Sequence, residues 1–389
     1  MAKLPVDPEL QTASSDSEWQ ALVCATGTSP KLHPELFENI DWDRFLAGAE
    51  SHGVAAVVAQ RILESELRSR LDAGVERRLR QVYQTILMRS FPLAQEIHSI
   101  TRAFKNENVP IIPYKGPALA ERYWGSFAVR DCVDLDFLVR PQDVERAGTI
   151  LEALGYERVA RIPHHLRPAL IRNASEEQFR HRETGLLLEL QWAPSPQVFA
   201  LKFDTSEMWS NVSNTAFAGE EVLSPSPEDL LLLLCIHGWK HNWSRLIWVG
   251  DVVRLLERES INWARLMARA KRDGTLGVLS LGLLIAHAFF DVPLPPSLII
   301  ENRIKQLSEV LITRMQSAQC CSYVEWHRFM LAARDSNTDR LRQMTSFLFT
   351  PGLGEYAACD LPASTAAGYK FIRLARVMRL FPGKAIESV

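Results

Sequence analysis

The sequence predicts an α+β protein, a small mixed β-sheet flanked by helical N- and C-terminal segments, and three observations carry that prediction. Apolar residues recur at helical spacing up to about residue 105 and again from residue 228 onward. Between 109 and 192 the pattern changes to short apolar runs, two of them alternating with polar residues. Glycines and prolines punctuate that middle stretch as turn and boundary residues do. We therefore read a helical region over 1–105, a sheet-bearing domain over 106–222 and a helical domain over 223–389.

Residues 1–17 are polar and carry no periodic pattern. From Trp19 to about Phe104 the pattern is helical, with Phe45, Ala49, Val54, Val57 and Val58 at helix-like spacing. The last helix of this unit spans 75–105, with a kink expected at Pro92, whose ring removes an N–H and crowds the carbonyl one turn back. Residues 109–114 then form a short strand and Lys115-Gly116 a turn. A brief helix over 117–124 starts with Pro117, at a position where a missing N–H costs nothing. A strand over 133–139 follows, apolar except for two aspartates. The helix over 141–154 places Val144, Ala147, Leu151 and Leu154 on one face, and Gly155 ends it. Strands over 178–182 and 186–192 pair through Glu183-Thr184-Gly185 as a hairpin turn. Beyond a Pro/Ser-rich stretch, Ser226 is placed to cap a helix that has Pro227 at its first position. Asp229 lies in the first turn, where a carboxylate suits the helix dipole. From residue 228 the chain reads as helices.

Composition narrows the function classes. Lys+Arg 44 against Asp+Glu 46 gives a formal charge of −2, so there is no global basic field to drive bulk nucleic-acid binding. The opening residues lack the apolar core of a secretory leader. The most apolar stretches, 230–236 and 278–290, fall short of the ~18–20 residues needed to span a bilayer. Six scattered cysteines form no CxxC pair and no disulfide framework. These features lead us to expect a cytoplasmic protein without a transmembrane segment.

The chemistry concentrates in Val133-Asp134-Leu135-Asp136-Phe137-Leu138-Val139. Side chains alternate along a strand, so Asp134 and Asp136 project from one side, roughly 6–7 Å apart, opposite the four apolar residues. Two carboxylates on one face repel each other unless a cation lies between them, and oxygen ligands suit Mg²⁺. The bland alternative is an exposed strand face that carries two aspartates. Lys115 and Gly116 end the preceding strand, where glycine lets backbone approach a phosphate and lysine supplies a point charge. Arg130 stands four residues before Asp134, in reach of a carboxylate or a triphosphate. Glu189 interrupts an apolar run; it is either an outward position on an alternating strand or a third carboxylate drawn to the same metal, since burying a lone one is costly.

Lys115-Gly116, then Arg130-x-x-x-Asp134-x-Asp136-Phe137-Leu138-Val139, a helix ending in Leu154-Gly155-Tyr156, and finally Glu189-x-Gln191-Trp192 resemble the uncharacterised bacterial nucleotidyltransferase family of the polymerase-β-like superfamily, over residues 90–295. The resemblance implies that Asp134 and Asp136 are the two metal-binding aspartates, Glu189 the third carboxylate and Gly116 the glycine of the triphosphate loop. Two Mg²⁺ ions and a nucleoside triphosphate would then serve as cofactor and co-substrate. The acceptor hydroxyl or phosphate, on a small molecule, peptide or protein, is not legible. Two positions depart from the family pattern: Pro117 follows Gly116 and removes a phosphate-binding N–H, and Gln191 replaces a histidine. Those departures favour a rival reading, a nucleotidyltransferase fold that binds a nucleotide or partner without turnover.

Three further features stay open. The helix from Glu228 is expected to run on through Trp243, putting His237, Lys240 and His241 on one face. They could contact triphosphate or base, ligate zinc, or stand on an ordinary helix surface, with Asp251 available to anchor one of them. His164-His165 with Arg161 and Arg167 reads as a solvated polar loop or a substrate contact, and Cys320-Cys321 as helix core. The segment 370–381 is basic and amphipathic, suited either to an anionic membrane or to packing on its own domain.

Overall fold

The computed structural model describes residues 16–29, 31–317, 321–362, 365 and 367–378. Among the described residues, the α-helices α1 (Asp16–Thr26), α2 (Trp42–Ser51), α3 (Ala55–Glu64) and α4 (Ala73–Asn106) precede the sheet. Asp41 caps α2 by accepting from the Asp43 and Arg44 amides, and Asp72 caps α4 by accepting from Gly74. Pro92 lies inside α4, which continues through it. Leu93, Ala94 and Ile97 just beyond the proline are buried, and that burial outweighs one lost backbone hydrogen bond.

The sheet is built from β1 (Ile111–Pro113), β2 (Asp134–Val139), β3 (Tyr156–Arg158), β4 (Glu176–His181) and β5 (Leu187–Gln191), in the order β1-β2-β5-β4-β3. Only β2 and β5 run parallel; the other three pairs are antiparallel. Connecting helices are α5 (Gly116–Leu119), α6 (Val144–Ala153) and α7 (Arg167–Asn173). Alternation along the strands divides the sheet into two unlike faces. Leu135, Phe137, Val139, Phe179, Leu188 and Leu190 form a core with Ile97, Ile100 and Phe104 of α4 and with Ala147 and Leu151 of α6. The other face carries Asp134 and Asp136 of β2, Glu189 and Gln191 of β5, and Glu176 and Gln178 of β4.

After α8 (Thr205–Ser210), a hairpin of β6 (Ser213–Phe217) and β7 (Glu220–Ser224) forms a second, two-stranded sheet. The chain then stays helical through α9 (Pro227–Lys240), α10 (Leu246–Arg258), α11 (Trp263–Asp273), α12 (Leu276–Phe290), α13 (Asn302–Gln316), α14 (Tyr323–Ala332), α15 (Asn337–Phe349), α16 (Leu353–Ala358) and α17 (Gly368–Val377). No helix among the described residues is long and apolar enough to cross a membrane. Helices from both ends of the chain share one core, in which Leu22, Phe45, Val58 and Ile62 join Leu231, Leu234, Val252 and Leu281.

Several local readings change. Helix α9 stops at Lys240, because Asn242 and Trp243 both adopt φ of +50° and turn the chain away. Trp243 is thereby buried against Gly238 and Gly282, whose missing side chains make room for its indole. Arg167 is no solvated loop residue: it donates from Nη1 and Nη2 to the fully buried Glu177 at 2.6 and 2.9 Å. Cys321 is half-buried and accepts from Asn242, whereas Cys320 lies outside the described residues. Helix α17 packs on α15 and α16, and residues 379–381 of the basic segment lie outside the described residues.

His52 ties the two helical regions together. It ends α2, its Nδ1 accepts from the Leu246 N–H and its carbonyl accepts from Ile247, so two orphan amides at the start of α10 are satisfied by one residue. Burial and then Arg245 hold the imidazole down at about 4. The unfolded chain protonates His52 near 6.5 and the folded chain only near 4, so its contribution is complete above 6.5 and is lost as pH falls between those values, by about 3 kcal/mol in all. We expect His52→Asn, which keeps an acceptor but cannot titrate, to lose less stability than the parent from pH 6.5 to 4 in urea titrations. Parallel pH profiles would contradict this assignment.

Candidate active site

The two aspartates lie on β2 as the alternation requires, half-buried on the polar face while Leu135 and Phe137 point into the core. Strand β5 runs beside β2 with Glu189 in register with Asp136. Registered neighbours share a face, so the structure brings Asp134, Asp136 and Glu189 together on one side of two adjacent strands. Lys115 enters from the end of β1. Gly116 has φ of +60°, a conformation that L side chains rarely adopt, and this turn returns the Lys115 side chain over the sheet while Pro117 starts α5.

Three side-chain donors hold the carboxylates through four hydrogen bonds. Lys115 Nζ reaches Asp136 Oδ1 at 3.1 Å. Gln191 Nε2 bridges Asp136 Oδ1 at 2.9 Å and Glu189 Oε2 at 3.2 Å, and its own Oε1 accepts from the Tyr114 hydroxyl. Gln178 Nε2 donates to Glu189 Oε1 at 3.2 Å from β4. Both bonds to Asp136 end on Oδ1, leaving Oδ2 without a hydrogen-bond donor among the described residues.

The electrostatics are unbalanced. Asp134, Asp136, Glu189 and the nearby Glu176 face the ammonium groups of Lys115 and Lys240, the latter 3.7 Å from Glu176. Burial, and then Asp136, push the Asp134 carboxyl up to about 6. Burial, followed by Glu176 and Asp136, pushes Glu189 up to about 8. Burial opposes the charge of Lys115, but Asp136, Tyr114 and Glu189 outweigh it and hold the ammonium protonated.

The far wall comes from α9 and α10. His237 and His241 form a ring cluster with Trp248, with centroids 4.7 to 5.2 Å apart. Burial comes first in keeping both imidazoles neutral; Lys115 adds to it at His237, and Lys240 then Lys115 at His241, which places these rings beside the cleft. Arg130 is committed elsewhere than to an open phosphate site: its Nε and Nη2 contact Asp251 Oδ2 at 3.3 and 3.1 Å in a buried pair. Asp251 therefore anchors Arg130, and through Oδ1 the Trp124 indole, rather than His237, Lys240 or His241.

These donors suit a hard cation in kind. They are carboxylate oxygens with excess negative charge, raised carboxyls and an open lone pair on Asp136. As the side chains stand, no group of three or more metal-ligating residues among those described is gathered tightly enough to hold an ion. Asp134 and Asp136 would hold it, and Glu189 could join only by exchanging its amide donors. Among the described residues His237 and His241 acquire no third ligand for zinc.

A family model described as an uncharacterised nucleotidyltransferase matches residues 38–291. The chain belongs to that nucleotidyltransferase family. The match reaches further toward the N-terminus than the motif resemblance, taking in α2 and α3, and ends with α12, so both walls of the cleft lie inside the family unit. No curated protein and no solved structure matches the chain significantly.

Within this nucleotidyltransferase, sequence reasoning overlooked Tyr114, Glu176, Gln178 and Trp248. Glu176 and Gln178 alternate along β4 in register with Gln191 and Glu189, a two-residue period that marks them as neighbours once the hairpin is paired. Tyr114 and Trp248 carried no local signal, because what places them is the packing of distant elements.

Proposed function

We propose that this nucleotidyltransferase is Mg²⁺-dependent and moves a nucleoside monophosphate from a nucleoside triphosphate to an acceptor hydroxyl or phosphate oxygen, releasing pyrophosphate. The observation that carries this reading is the convergence of Asp134, Asp136 and Glu189 on one sheet face with Lys115 bridging to it. Asp134 and Asp136, with Glu189 as third carboxylate, would hold two metal ions, which supply charge neutralisation at the reacting phosphoryl group. An acceptor oxygen attacks the α-phosphorus, its bond forms as the bond to the pyrophosphate oxygen breaks, and where the acceptor is a hydroxyl its proton passes to Glu189. Glu189 stands in register with Asp136 on the neighbouring strand, which places it to take that proton. Lys115 and the Gly116 turn receive the triphosphate. Arg130 acts through Asp251, as the fixing point of the wall that carries His237, Lys240 and His241.

Incubating the protein with Mg²⁺, each nucleoside triphosphate and cell extract should release pyrophosphate from one of them and label an extract component from the α-phosphate. Glu189→Gln should slow that reaction by about 10²-fold or more with little change in nucleotide affinity. An undiminished rate would remove Glu189 from the mechanism.

One observation favours the non-catalytic alternative. Gln191 clamps Asp136 to Glu189 with a neutral amide, so the pair is held without a metal, and Pro117 removes an amide from the loop. Nucleotide binding without pyrophosphate release from any triphosphate would support that reading, and release of the γ-phosphate alone would instead indicate phosphotransfer.

A further inference from the structure

Between Leu246 and Val253 every residue of α10 is buried except Trp248, and from Asp229 to Lys240 the same holds for α9 except His237 and Lys240. Solvent therefore reaches these otherwise core segments of α9 and α10 only at Trp248, His237 and Lys240, two aromatic rings with a lysine beside them. Trp248 and Asp251 are three residues apart and share a helix face. Asp251 is bonded to Arg130, four residues before Asp134, so Trp248 stands about one turn along the helix face that meets the loop leading into β2. Lys240 reaches Glu176 on β4, which closes the other end of this wall against the sheet.

We infer that Trp248, backed by His237 and His241, is the stacking platform for the base of the bound nucleoside triphosphate. This rests on the nucleotidyltransferase reading and adds to it where the base lies. The ring pair His237–Trp248 meets edge to face at 85° with centroids 5.2 Å apart, and His241 leans on the same indole, so the platform is braced before any ligand arrives. A base has no charge to bring, and this wall offers flat π-surface rather than charge at its centre. Burial leaves both imidazoles neutral, so they are poor phosphate ligands and good apolar rings. The phosphates are left to Lys115, on the opposite side of the cleft. Arg245, exposed and 5.9 Å from the Trp248 centroid, can yield its place to a base or close over it.

Tripolyphosphate has the charges of a nucleotide and no base, which makes the test direct. Calorimetric titrations of the full chain with Mg²⁺ and ATP, GTP, CTP, UTP or tripolyphosphate would be compared between the parent, Trp248→Leu and Trp248→Phe. Loss of one base–aromatic contact should weaken the best-bound nucleotide about 10- to 100-fold in Trp248→Leu, leave tripolyphosphate unchanged, and be largely restored in Trp248→Phe. Equal weakening of nucleotide and tripolyphosphate, or no weakening of either, would overturn the platform while leaving the nucleotidyltransferase reading intact. A parent protein that binds no nucleotide would overturn that reading, and the platform with it.

Discussion

Asp134→Asn should abolish nucleotidyl transfer, by on the order of 10³-fold or more, without lowering the melting temperature of the metal-free protein. The two halves of this expectation have separate causes. Activity falls because a carboxylate that faces the reacting phosphate is gone. Stability holds because the folded state keeps the Asp134 carboxyl at about 6, above its usual range, through burial and the neighbouring Asp136. The folded state thus binds this proton more tightly than the unfolded one, so ionisation costs stability as pH rises from about 4 to 6 and in full above that, and a neutral amide removes the cost. Asp136→Asn should lose activity equally but melt lower, since it leaves the buried Lys115 ammonium without its ion-pair partner, a change of about 3 kcal/mol or more. Activity assays and thermal melts at pH 8 without Mg²⁺ check both variants. Unfolding of Asp134→Asn, or full activity in either, would show that the aspartates serve the fold instead.

Asp251→Ala should destabilise the protein by about 3–5 kcal/mol, the largest stability effect expected in the cleft wall. Asp251 is 1% exposed and is bonded to Arg130 and Trp124 at once. Its loss strands a buried guanidinium and an indole N–H. It also opens the seam where Gly250 lies so close to the Trp124 ring that a Cβ would come within 2.6 Å of it. Replacing both members, as Arg130→Met with Asp251→Leu, removes the stranded charge and should recover most of the lost stability. Urea unfolding measures both. A single variant within about 1 kcal/mol of the parent would mean that Arg130 finds another partner.

What was legible in the chain follows from what is encoded locally. The D-x-D strand reads directly because alternation forces Asp134 and Asp136 to one face, and the Glu183-Thr184-Gly185 turn announces the β4–β5 hairpin, which has Gly185 at φ +71°. Strand β3 escaped notice because three residues at a sheet edge give no period, and the β6–β7 hairpin because exposed polar residues such as Ser213, Asn214, Glu220 and Glu221 break up its apolar pattern. The register of Glu189 against Asp136 and the pairing of Arg130 with Asp251 are long-range facts. Arg130 illustrates the limit well: four residues before Asp134 it reads as a phosphate ligand, and only the ion pair that joins the loop ahead of β2 to α10 supplies the carboxylate that claims it.

The proposed chemistry requires metal and triphosphate to meet on the polar face of β2 and β5. A crystal structure of the protein grown with Mn²⁺ and a non-hydrolysable nucleoside triphosphate, with anomalous scattering recorded from the manganese, tests it most directly. The expected result is manganese density at the Asp134 and Asp136 carboxylates, with the triphosphate within reach of Lys115 and the base toward Trp248. Manganese absent from those aspartates, or a triphosphate bound away from β2, would contradict the central claim.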